Sequence, residues 1–124
     1  MLTFIHMKKL LLAFIISAAF GVKASAQSFN ADDFKNNLGK TKTLCDEVSS
    51  IKIFSDTLTL INMGGAYPNQ KYTIAVKGNK ITLDWANLKG KRLCVTGVYE
   101  MHKGRPGIVA AQPDQIEISQ IINR

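Results

Sequence analysis

The sequence predicts an all-β domain of five short strands, closed as a small barrel behind an export signal. Three observations predict it. Apolar residues from residue 41 onward recur with a period of two, the signature of half-buried strands. Turn-forming pairs such as Ser55-Asp56, Gly64-Gly65, Gly78-Asn79 and Gly104 separate these runs. About a hundred residues remain once the signal is set aside, enough for one thin core. A closed barrel suits that size because it leaves no free sheet edge.

Met7-Lys8-Lys9 is a positively charged start, with Met1 or Met7 as the first residue, Leu10 to Phe20 is mostly apolar, and Ala24-Ser25-Ala26 forms a small-residue cleavage site. This is the order of a signal peptide, and the apolar run is too short for an ordinary transmembrane helix. Residues 1–26 are therefore expected to be removed, leaving Gln27 first. The signal carries Lys8, Lys9 and Lys23 and no acid, so 13 of the 16 basic residues face 9 acids, a charge of +4. That is mildly basic. It fits a modest anionic partner and lacks the excess of a protein built only to grip duplex DNA.

Residues 27–38 form a leader. Asn30 is a candidate N-cap, Asp32 and Asp33 suit a first helical turn, and Phe34 and Leu38 share a face at a spacing of four. This short helix is expected to pack on one end of the barrel, with Gly39 ending it. The first strand runs from Thr41 to Phe54. Leu44 and Val48 lie on one side, Ile51 and Ile53 on the other parity, so a bulge is expected near Ser49-Ser50. The second strand, Thr57 to Met63, places Leu58 and Leu60 on the core face. The third, Lys71 to Val76, places Ile74 and Val76 there.

A one- or two-turn helix is expected around Trp85 to Leu88, with one of these two residues plugging the barrel. Leu93 and Val95 then alternate with Cys94 and Thr96 in the fourth strand, where Gly97 predicts a bulge or bend. His102-Lys103-Gly104-Arg105-Pro106 reads as a hairpin loop. Ile108 to Ala111 is the fifth strand, which Pro113 ends. Residues 119–124 read as a flexible tail.

The stretches GKRLCVTGVYEMHKGRPGIVAAQPDQIEI and LINMGGAYPNQKYTIAV carry a resemblance. They resemble the last two strands, and the second and third strands, of small OB-fold domains of secreted bacterial proteins, sometimes attached to nucleases. The resemblance covers residues 39–118. It implies a five-stranded OB-fold barrel with a long, bent first strand, a short N-terminal helix and at most a short helical turn between strands three and four. It also implies that the first and fourth strands lie side by side. Cys45 and Cys94 each follow a core-facing leucine, so both are expected on the outward face. An exported, oxidising setting favours a disulfide between them, the alternative being two buried or free thiols.

OB domains bind single strands across the second and third strands, flanked by the first-second and fourth-fifth loops. Carried onto this chain, the resemblance implies a nucleic-acid site of Lys52, Lys71, Tyr72, His102, Lys103 and Arg105. The alternation leaves open which tyrosines face outward, since Tyr72 shares its parity with Ile74. No serine elbow, HExxH, Walker loop or dinucleotide fingerprint occurs. With one histidine after the signal and two distant cysteines, no zinc, other metal or cofactor site is recognisable. The chain is accordingly read as a periplasmic or secreted binding module rather than an enzyme. Its expected partner is single-stranded DNA or RNA. The alternative is a structural domain of the cell envelope that binds a protein or a glycan.

Overall fold

Five strands close on one another through a single long strand. The computed structural model describes residues 27–119; residues 1–26, the expected signal peptide, and the last five residues lie outside them. Helix α1 (Ala31–Asn36) is followed by β1 (Thr41–Ser55), β2 (Leu58–Met63), β3 (Tyr72–Lys77), β4 (Arg92–His102), β5 (Arg105–Ala110) and β6 (Ile116–Ile118). Two 3-10 turns, Trp85–Asn87 and Pro113–Gln115, interrupt the connections. The hydrogen-bonded order is β1-β2-β3-β5-β4, with β1 also pairing β4, which makes a barrel-like ring; β6 joins outside it on β4. All ring pairings are antiparallel except β3 with β5.

β1 makes the closure possible. Its first half, Thr41 to Glu47, pairs with β4, and its second half, from Val48, pairs with β2. The ladder skips Ser49 between Val48 and Ser50, the bulge that the change of parity predicts. Cys45 lies directly opposite Cys94, and the two form a disulfide across a sequence separation of 49 residues. Closing a loop of that length removes about 4 kcal/mol of chain entropy from the unfolded state in the loop-entropy account. Cys45 is buried although it faces away from the interior of the ring, because the leader runs beside it. The Cys45 N–H donates to the Gln27 carbonyl at 3.0 Å.

The core holds Leu44, Val48, Ile74, Val76, Leu93 and Val95, as the alternation predicts. It also holds Leu88, which plugs the ring beside the partly buried Trp85. β2 departs from the expectation: Thr59, Ile61 and Met63 face inward, while Leu58 and Leu60 face out and are only half-buried. The cause is register. Ile61 sits opposite Ile74 and Met63 opposite Tyr72, and directly opposed residues share a face.

α1 is capped by the Asn30 side chain, which accepts from the Asp33 N–H at 2.9 Å. It ends before Leu38, which is exposed instead of sharing the face of Phe34. Phe34 stacks on Tyr99 at 4.1 Å and Phe29 on Tyr72 at 5.4 Å, closing one end of the ring with aromatic rings. Gly97 makes no bulge; β4 runs through it unbroken. Its lack of a side chain serves close approach, since a Cβ there would come within 2.6 Å of Ile108 Cγ2. β5 stops before Pro113, as expected, but the sheet continues past it. Pro113 opens the turn that leads into β6, a strand beyond the expected five. The Gln115 amide fills the gap where β5 and β6 part along β4: its Nε2 donates to the carbonyls of Thr96 and Val109. Ser119, expected in the flexible tail, donates its N–H to the Arg92 carbonyl at 2.9 Å.

Two outcomes are expected. Leu93→Ala should cost about 2–5 kcal/mol in denaturant unfolding, and Leu60→Ala clearly less, because only Leu93 lies in the closed core. Equal losses would reverse the assigned faces. Tyr72 carries a buried hydroxyl without a partner, and burial first, then the Asp46 charge, holds its pKa above the ordinary 10.0. The folded state therefore keeps a proton that the unfolded state releases, so stability is intact below about pH 10 and falls as pH rises beyond it. Tyr72→Phe should be near neutral or stabilising at pH 7 and make the alkaline fall in melting temperature shallower. A strongly destabilised Tyr72→Phe would show that the hydroxyl is satisfied.

Candidate functional site

A trough of about 860 Å³ lies on the outer face of β1, β2, β3 and β5. Its floor is built by the outward parity of these strands, in two rows that follow from the register. Lys52, Leu60, Ala75 and Val109 stand side by side across the four strands, as do Ser50, Asn62, Thr73 and Gly107. The first row is mainly apolar and small. The second is polar and internally bonded: Asn62 Nδ2 donates to Ser50 Oγ at 2.9 Å, and Thr73 Oγ1 to Asn62 Oδ1 at 3.1 Å. Gln70 Nε2 then donates to Thr73 Oγ1 at 3.2 Å, while its Oε1 has no partner. These bonds tie the short side chains of the row to one another.

Aromatic rings with adjacent cations stand at its rim. Near the end of β1, Lys52 Nζ lies 5.4 Å from the centroid of the Phe54 ring, which is 55 % exposed. In the β2–β3 loop, Tyr67 is 69 % exposed, with Arg105 Cζ 5.7 Å from its ring centroid. Arg105 Nη1 also donates to the Pro68 carbonyl at 3.1 Å, tying that loop to the β4–β5 hairpin. Lys77, Lys103 and His102 complete the basic lining, against the single carboxylate of Glu100. Cations outnumber acids here more strongly than across the chain as a whole.

The hairpin itself is constrained. His102 pairs with Arg105, leaving Lys103 and Gly104 as a two-residue loop with φ of 53° and 78°. Both angles are left-handed, as the right-handed twist of a two-residue hairpin requires. Glycine enters that region freely, but lysine is rarely found there.

Of the residues expected at the site, Lys52, His102, Lys103 and Arg105 come together on this trough. Tyr72 does not: it is 1 % exposed and its ring lies in the core. Lys71 is also placed elsewhere, its stem packed over Gly64 near Asp46. The sequence reading missed Phe54, Tyr67 and Lys77. Lys77 could have been found from parity, since it continues the outward series Thr73, Ala75. Phe54 also has a signal, because it follows Lys52 by two. Tyr67 has none, because a loop residue has no parity. Among the described residues, no group of histidine, cysteine and carboxylate side chains is arranged to hold a metal ion, and no helix is long and apolar enough to cross a membrane. No known protein family, curated protein or solved structure matches this chain.

Lys103→Asn is expected to stabilise the fold by about 0.5–1 kcal/mol, since asparagine tolerates left-handed φ, while removing one positive charge from the rim. Denaturant midpoints of the two proteins test it. A loss of stability would mean that Lys103 makes contacts that outweigh its backbone strain.

Proposed function

We propose that the ring is an OB fold and that the trough binds single-stranded nucleic acid outside the cytoplasm. The strand order with parallel β3 and β5, and the long bulged β1 shared between two partners, support the fold reading. The disulfide fits an oxidising compartment, and with the signal-like N-terminus it supports a periplasmic or secreted protein. The observation that carries the ligand class is the pairing of exposed rings with cations at the rim, Phe54 with Lys52 and Tyr67 with Arg105. Rings offer faces to bases, and adjacent cations offer charge to the phosphates between them. The apolar row Leu60, Ala75 and Val109 gives the bases a dry floor.

An envelope protein or glycan is the second reading. It is favoured by the same apolar floor and by the exposed face of Tyr67, which would stack on a sugar ring as readily as on a base. Salt dependence separates the two, because only a polyanion releases counterions on binding.

Oligonucleotide titrations across a salt series test the proposal. Phe54→Ala and Tyr67→Ala should each weaken binding by about 1–3 kcal/mol and leave the salt slope unchanged. Lys52→Ala and Lys103→Ala should each lower the slope by about 0.7. None should shift the unfolding midpoint far, since all four side chains are exposed. Absence of binding by the wild type at low ionic strength overturns the nucleic-acid reading and leaves the glycan or protein ligand.

A further inference from the structure

We infer that Gln27, once cleavage after Ala26 makes it the first residue, is converted to pyroglutamate. The inference rests on the export reading above and goes beyond it to a modification site. An N-terminal glutamine carries its own electrophile. The α-amine nitrogen attacks the side-chain carboxamide carbon Cδ, the N–Cδ bond forms, the Cδ–Nε2 bond breaks, and ammonia leaves with the displaced proton. The product is a neutral five-membered lactam. No oxidant, reductant or second substrate is consumed. An α-amine of ordinary pKa, about 7.7–8.0, is partly in its neutral, nucleophilic form near neutral pH.

The structure favours this product in three ways. Gln27 is exposed, at the edge of a small cleft of about 260 Å³ that it shares with Thr41, Lys42 and Thr43, so its side chain has room to close on its own nitrogen. The shorter backbone bond of Gln27 needs only what the lactam retains. The Gln27 nitrogen donates one hydrogen to the Thr43 carbonyl, at a long 3.4 Å, and its carbonyl accepts from the Cys45 N–H at 3.0 Å. The lactam keeps the carbonyl and with it the 3.0 Å bond; ring closure turns the remaining N–H away from Thr43, so only the long 3.4 Å bond is given up. Charge acts in the same direction. The residues lining the cleft include a cation, Lys42, and no carboxylate, so a free terminal ammonium would add a second positive charge there without a partner. Cyclisation removes it.

The consequence is protection of the leader. Two residues beyond Gln27, Phe29 stacks on Tyr72 and closes the end of the ring. Exopeptidases that need a free α-amine would trim towards that ring, and the lactam denies them a start.

The test is the intact mass of the full chain after export by a bacterium, purified with the disulfide in place, together with N-terminal sequencing. The expected result is the mass of residues 27–124 less one ammonia, and a terminus blocked to sequencing until pyroglutamyl aminopeptidase removes the first residue. Gln27→Asn should be cleaved at the same place, keep a free terminus and show no loss. A wild type cleaved after Ala26 that keeps a free glutamine overturns the inference and leaves the export reading intact. A chain cleaved at another site overturns the inference alone, and one that keeps its first 26 residues overturns both. The same mass loss in Gln27→Asn would place the ammonia loss at another residue and also overturns the inference.

Discussion

Everything in this fold depends on β1 serving two neighbours. A strand of ordinary length pairs over one stretch and leaves a sheet with two edges. β1 is 15 residues long and changes partner at Ser49, from β4 to β2, so that the sheet returns on itself. The Cys45–Cys94 disulfide crosses the ladder at that closing seam. A thin core is thereby given a covalent brace where unzipping would otherwise open the ring. Most of the remaining stability comes from inward side chains that meet only because the ring is closed, such as Leu44, Leu93 and Ile108.

Closure also makes the outer trough. A curved sheet has two faces, and where β1 pairs with β4 the outward side chains are Thr43, Thr96, Glu47, Arg92 and the disulfide-bonded cysteines. Over β2, β3 and β5 they are instead Leu60, Ala75 and Val109, an apolar patch that does nothing for the interior. The hairpin brings Lys103 and Arg105 to one margin because β5 runs parallel to β3, which sets the β4–β5 turn beside the β2–β3 loop. The other margin is the end of β1, with Lys52 and Phe54. Residues more than fifty positions apart thus share a surface by virtue of one crossover.

The aromatic end of the ring is organised differently. There, four aromatic rings, Phe29, Phe34, Tyr72 and Tyr99, shut the core, and two phenol hydroxyls are buried without partners. Burial raises the pKa of both tyrosines. The leader is therefore part of the fold: it supplies two of the rings and covers Cys45.

By itself the sequence determined the all-β class, the positions of the five ring strands, the bulge at Ser49, the tight turn at Lys103-Gly104 and the alternation of β3 and β4. These follow from local periodicity and turn chemistry, which act over a few residues. The pairing of Cys45 with Cys94 was legible only through a resemblance that set two strands side by side. Tertiary structure alone decided the faces of β2, where leucines occur on one parity and Ile61 and Met63 on the other. With apolar residues on both sides, periodicity carries no sign, and the choice falls to the partner strand: Ile74 opposite Ile61 draws that parity inward. The same choice exposed Leu58 and Leu60 and made the trough floor. It also buried Tyr72, opposite Met63, and so removed it from the expected site. Tyr67 joined the trough for a reason no local pattern contains, because Arg105, 38 positions away in the chain, holds its loop in place.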